Sequence, residues 1–331
     1  MLIKEQLASL DAVNLNLGSG TGLIMSIVLA LIMFGIALGI KGETLKGIFT
    51  KPKSIITGII LQWVGLPLVT FLLIIAFNHF LTPMVCLGMI LVASCPGGNI
   101  SNFMSSLSHS NVELSVSLSA VSTIFSPIIT PFNFWFWGNL YLKFASLSKS
   151  IVLPDLEIPF SEIFRTVFLI LAIPVILGIV FSKYLPKAAD KMKKPLRIFS
   201  LLVFAAMVIG MFTQNWDVIK KFVGFIFLIV LVHNACAFGT GAIGSGLMKL
   251  PRRDRRTIAI EVGIQNSGLG LTLLLNPAIF RPEIWNNPET GIMYGGMLCI
   301  TSWWGIWHII SGLALSAYYR KRPLPEDEDK S

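Results

Sequence analysis

Apolar residues fill this chain in blocks of about twenty, parted by short polar turns, which is the length a helix needs to cross a bilayer. The pattern predicts nine helical segments, at about 18–40, 54–77, 82–107, 112–142, 162–183, 198–213, 219–247, 257–280 and 291–318. Two of them change character at their centres. The third carries Cys95-Pro96-Gly97-Gly98-Asn99-Ile100-Ser101-Asn102, and the eighth carries Glu261-Val262-Gly263-Ile264-Gln265-Asn266-Ser267-Gly268. Proline removes a backbone donor and glycine tolerates unusual dihedrals, so both segments are expected to be helices broken within the membrane. Ser115, Ser119 and Ser122 recur on one face of the fourth segment, where Pro127 and Pro131 follow and are expected to kink it.

Composition agrees with this pattern. Hydrophobic residues make up 54% of the 331 and charged residues 13%, against roughly a quarter charged in a soluble domain. Mean hydropathy is +0.76. The chain reads as an all-α polytopic membrane protein without a separate soluble domain. Its N-terminus lacks the basic stretch and small-residue cleavage site of a signal peptide, so the first apolar segment is expected to be retained. Cys86, Cys95, Cys236 and Cys299 all lie in apolar segments without metal-ligand spacing and read as buried thiols.

The net charge of +9 does not imply nucleic acid. Its basic residues gather after the first, fifth, seventh and ninth segments, at Lys41–Lys53, Lys183–Arg197, Lys249–Arg256 and Arg320–Arg322. The loops after the even-numbered segments are nearly neutral. Basic loops stay in the cytoplasm. Nine spans therefore put residues 1–17 outside, as a polar extracytoplasmic segment with a short surface helix, and the tail 319–331 inside.

Glu261 is the charged side chain at mid-membrane depth. A carboxylate there costs several kcal/mol unless it is paired or hydrated, and no Lys or Arg sits at a matching depth in another segment. A bound cation, a protonated carboxyl bonded to a neighbour, and a proton-coupling group are the three readings of it. Oxygen-rich neighbours suit a hard monovalent ion: Ser101, Asn102, Ser115 and Ser119 offer neutral oxygens, and a broken helix frees carbonyls. The half-helix N-terminus after Pro96 also attracts anions, so an anionic substrate fits beside the cations. No His-x-x-x-His, paired Asp or Ser/His pair at one depth points to an enzyme.

The two long motifs resemble the bile acid:sodium symporter family, together with Asn111-Val112-Glu113-Leu114-Ser115-Val116, Ser122-Thr123-Ile124-Phe125-Ser126-Pro127, Val232-His233-Asn234 and Trp307-His308-Ile309-Ile310-Ser311-Gly312. The similarity covers about residues 18–318 and matches the nine-helix form. The resemblance implies inverted repeats, a core domain (54–142 and 219–318) with two crossing broken helices, and a panel domain (18–53 and 162–213). It implies two sodium ions. Ser101, Asn102, Ser115, Ser119 and Glu261 would hold the first. Gln62, Glu261, Gln265 and the backbone carbonyls of Val262 and Ile264 would hold the second. Substrate would lie near Asn99, Asn266 and His308.

The function so implied is sodium-coupled symport of an organic anion by alternating access. The anion is a bile-acid-type molecule or a small carboxylate such as pantoate or a keto acid. The protein would work as a multi-pass monomer in the bacterial inner membrane. A proton-coupled carboxylate transporter and a passive channel are the competing classes.

Overall fold

The computed structural model describes residues 10–11, 21–40, 52–98, 100–147, 158, 160–214, 216–277, 279–280, 286–287 and 292–324. The helices are α1 (Thr21–Ala37), α2 (Pro52–Phe77), α3 (Pro83–Ser94), α4 (Ile100–Leu107), α5 (Val112–Leu147), α6 (Phe160–Tyr184), α7 (Pro186–Gln214), α8 (Trp216–Leu247), α9 (Arg252–Gly263), α10 (Ser267–Leu274) and α11 (Gly295–Arg320). A short ribbon pairs β1 (Asn286–Asn287), in the expected turn, with β2 (Ile292–Met293), at the start of the expected ninth helix, which begins at Gly295 instead. Among the described residues, five helices are long and apolar enough to cross a membrane. The apolar helices Ser26–Ala37 and Pro83–Ser94 are shorter.

The polarity of the molecule is inverted relative to a soluble protein. Ile56, Ile60, Leu72, Ile173, Ile176, Leu177 and Ile243 face outward, while Ser115, Ser119, Ser122, Thr123, Gln62 and Glu261 are buried. Such an apolar outer surface is stable only against lipid. Inside, helices approach through small residues, as membrane helices do. A Cβ on Gly88 of α3 would lie 2.8 Å from the Cα of Met297 on α11. One on Gly178 of α6 would lie 2.6 Å from the Cβ of Ala37 on α1.

Several elements differ from the expected boundaries. The basic cluster after the fifth segment lies within a helix: α7 starts at Pro186 rather than near residue 198. Proline suits the first helical position, and Lys, Ala and Met are good helix formers. α5 runs unbroken from Val112 to Leu147 through both prolines. Inside α2, Leu61–Gly65 forms a π-helical turn. Its cause is Pro67, which has no N–H to give the carbonyl of Trp63 four residues back. That carbonyl instead accepts from Asn133 Nδ2 of α5 at 2.9 Å.

Both expected breaks are present, and they meet. Gly97 and Gln265 pair as an antiparallel bridge. The Gly98 N–H donates to the Ile264 carbonyl at 2.9 Å and the Asn266 N–H to the Pro96 carbonyl at 2.8 Å. The two interrupted helices thus satisfy part of each other's exposed backbone, which hydrocarbon cannot do. Asn234 of α8 satisfies one more group, donating to the Gly263 carbonyl at the end of α9 (2.8 Å).

Two polar clusters mark the two ends. At one, Asp254 accepts from Ser54 Oγ (2.6 Å) and Asn111 Nδ2 (2.7 Å). Arg253 donates there to the His109 carbonyl, and Arg256 to the carbonyls of Ser108 and Tyr319. At the other end, Leu10 and Asp11 are helical, as expected, but Leu10 is buried rather than at the surface, and Asp11 accepts from Thr82 Oγ1 (2.9 Å) and the Met84 N–H (3.3 Å).

Candidate ion and substrate site

The crossover places Glu261, on the last turn of α9, against α4 and α5. Glu261 Oε1 accepts from Ser101 Oγ at 2.6 Å, from Ser115 Oγ, and from Ser119 Oγ at 3.3 Å. Ser119 Oγ also lies 3.2 Å from Oε2. Asn102 Oδ1 completes the group, 2.8 Å from Ser115 Oγ and 3.3 Å from Ser119 Oγ. Every residue expected in the first ion set therefore shares one oxygen cluster, and Ser101, Ser115, Ser119 and Glu261 are almost wholly buried.

These hydroxyls behave unlike several others among the described residues. Ser94, Thr123, Ser245 and Thr301 each donate to the carbonyl four residues back, the usual habit of a hydroxyl in a membrane helix. Ser101, Ser115 and Ser119 turn to the carboxylate instead. Their three hydroxyl protons cannot serve all the close oxygen–oxygen approaches just described. A small cation among these oxygens can. Among the described residues no Lys or Arg pairs with Glu261, so its charge has no protein counter-ion.

The second expected set surrounds the other face of the crossover. Gln62, on the π turn, accepts from Ser122 Oγ at 2.8 Å through Oε1 and leaves Nε2 buried without a partner. Gln265 donates Nε2 to the Val262 carbonyl at 2.8 Å and leaves Oε1 buried without a partner. The Ile264 carbonyl already accepts from Gly98. A Cβ on Gly97 would lie 2.7 Å from Gln62 Nε2 and 3.1 Å from Glu261 Oε2. Turning the Gln62 amide over keeps its bond to Ser122 and presents an oxygen toward Glu261 Oε2, because amide oxygen and nitrogen are nearly isosteric. The donor set then suits a cation. Sequence reasoning did not assign Ser122 or Asn234 to the site; both lie in matched motifs and carry polar groups on apolar helices.

A cavity of about 640 Å³ opens beside the first cluster. Asn102, Ser119, Gln265, Asn266, Ser267 and His308 line it on one side, and Ile32 and Ile36 of α1 with Ile40 just beyond that helix on the other. Two of the three expected substrate residues, Asn266 and His308, thus share one cavity. Asn99 lies outside the described residues. Asn266 also caps α10, accepting from the Leu269 N–H at 3.0 Å. His233 is elsewhere: its Nε2 is 2.7 Å from Thr70 Oγ1 and its ring packs on Trp304.

A sequence profile of the sodium bile acid symporter family matches residues 26–222. The chain belongs to that family. It is 29% identical to the uncharacterized sodium-dependent transporter YocS of Bacillus subtilis over 298 residues, covering 90% of this chain and 83% of that one. It is 27% identical to the probable sodium/metabolite cotransporter BASS1 of Arabidopsis thaliana over 91% of this chain and 68% of that one. It is also 27% identical to the human ileal sodium/bile acid cotransporter, over 78% of this chain and 70% of that one. The protein is thus a membrane protein of a sodium-dependent transporter family, not an enzyme.

Proposed function

We propose that this family member is a symporter that couples two sodium ions to one organic anion. The observation that carries the reading is the buried Glu261 carboxylate, wrapped by three hydroxyls and an amide oxygen with no basic partner among the described residues. One sodium ion sits among Ser101, Asn102, Ser115, Ser119 and Glu261. The second sits between Gln62, Glu261 and Gln265, with the carbonyls of Val262 and Ile264. Both ions share Glu261, the first joins the helices on either side of the crossover through side-chain oxygens and the second touches backbone freed there, so binding them orders the two breaks. The anion then occupies the cavity beside Asn266, Ser267 and His308, near the N-terminus of α10, with Asn99 as a further contact. Coupling arises because ions and anion each favour the same ordered crossover.

Nine spans, inverted repeats and rocking of a core against a panel form the architectural part of the proposal. The antiparallel pairing at Gly97 and Gln265 supports inverted repeats, since such halves must run oppositely where they meet. Ser54, Asn111, Asp254, His109 and Tyr319 gather at one end, which supports an odd number of spans with those loops on one side. In this proposal that side is the cytoplasm, because basic loops are retained there, the N-terminus is outside, and the membrane is the bacterial inner membrane. α1, α6 and α7 pack on one another and form the panel; α2–α5 and α8–α11 form the core.

The test is thermal stability of the purified protein with pantoate or cholate, in sodium and in potassium. Stabilisation by the carboxylate only in sodium is expected. Equal stabilisation in potassium would point to a proton-coupled carrier or a channel.

A further inference from the structure

Among the described residues, the cavity wall formed by the panel holds one cation. Lys193 of α7 lines the cavity, and of Lys187, Lys191, Lys193 and Lys194 on that helix it alone is not exposed. Its position follows from helix packing. Gly35 of α1 has Leu196 of α7 against it, with the Leu196 Cβ 2.9 Å from where a Gly35 Cβ would be. Lys193 lies three residues before Leu196, on the same face of α7. This carries it toward the α1 end where Gly39 and Ile40 line the same cavity. The ammonium lies 2.7 Å from Asp190 Oδ1, and Asp190 is itself half exposed. That end carries the basic cluster of the fifth loop, and so is the cytoplasmic mouth. The cavity between this mouth and the crossover is walled by Ile36, Ile40, Ile100 and Phe103.

We propose that Lys193 is a direct substrate contact, which takes the anion's negative group at the cytoplasmic mouth in exchange for Asp190 as the anion leaves the crossover. This rests on the symporter reading above. A lysine is apt for such a way-station: its long stem lies along apolar wall while its head swings between partners. The substrate class that fits is an organic anion with an apolar body, able to slide on isoleucine while its charge passes from the α10 N-terminus to the lysine.

The test measures binding of cholate, below micellar concentration, to the full chain in lipid nanodiscs with saturating sodium. The variants are Lys193→Gln, Lys193→Arg and Lys187→Gln, the last removing an exposed charge from the same helix. Lys193→Gln is expected to weaken cholate roughly three- to tenfold, between the small effect of an exposed charge pair and the large one of a buried pair. Sodium affinity should stay at the wild-type value, Lys193→Arg should bind like wild type, and Lys187→Gln should change little. Melting temperatures without ligand check that each variant is folded. Equal cholate affinity in Lys193→Gln and wild type, or equal losses in Lys193→Gln and Lys187→Gln, overturns the Lys193 assignment alone. Wild-type protein that binds neither cholate nor pantoate in a sodium-dependent way overturns the symporter reading, and the assignment with it.

Discussion

Asn133 donates its side-chain amide to the carbonyl of Trp63, the acceptor that Pro67 strands four residues further along α2. This bond between two helices holds open the π turn that presents Gln62 to the crossover. Replacing Asn133 with Leu should leave the carbonyl buried and unpaired, at a cost of about 1–3 kcal/mol. The expected outcome is a lower melting temperature and a weaker sodium-induced rise in it. A variant with lower stability and an unchanged sodium response would mean that Gln62 does not need the π turn.

Two glycines should fail in different ways. Gly97→Ala pushes a methyl group into Gln62 and Glu261, whose side chains can shift. It should fold, yet lose at least about tenfold in sodium affinity, because a hard cation tolerates little displacement of its oxygens. Gly88→Ala pushes a methyl group into the backbone of Met297. It should cost about 1–3 kcal/mol of stability by overpacking, with sodium affinity near wild type in the protein that folds. Paired titrations of the two variants separate ion site from helix packing.

Asp11 gives the protein a pH-dependent stability. Burial pushes its carboxyl up from 3.8 to about 7, against the opposing hydrogen bonds from Thr82 and the Met84 backbone. The folded state thus holds this proton more tightly than the unfolded chain does. The stability that Asp11 contributes is full below about pH 4, falls as pH rises toward about 7, and is level above that. Melting curves across this window should slope downward with pH in the wild type. The slope should shrink in Asp11→Asn, whose side chain has no proton to lose.

Much of the site could be read from residues alone, for a physical reason. Proline, paired glycines and clustered polar groups cannot lie in an apolar helix without breaking it, so the interruptions before Asn99 and at Gln265 stand out. Glu261 stands out because a charge in hydrocarbon needs a partner. The π turn does not stand out. It depends on Asn133, seventy residues from the carbonyl it serves, and no local pattern links the two. The start of α7 was hidden because its first turns are basic and carry little apolar periodicity. Leu10 and Asp11 sit in a polar stretch that reads as surface, yet Leu10 is buried and Asp11 bonds to the first turn of α3.

Orientation has its own test. A fluorescent protein fused after Ser331 folds and shines only in the cytoplasm. Nine spans predict a bright cell with this fusion and a dark one with a fusion placed before Met1. The reverse pair would contradict the assignment of the basic loops.

The central claim is that Glu261 and the hydroxyls around it hold sodium. Its most direct measurement is equilibrium binding of radioactive sodium to purified wild-type protein and to Glu261→Gln, at equal ionic strength held with potassium. Two ions bound per wild-type chain, and loss of both in the folded variant, is the expected result. Wild-type sodium affinity and stoichiometry in Glu261→Gln would contradict it.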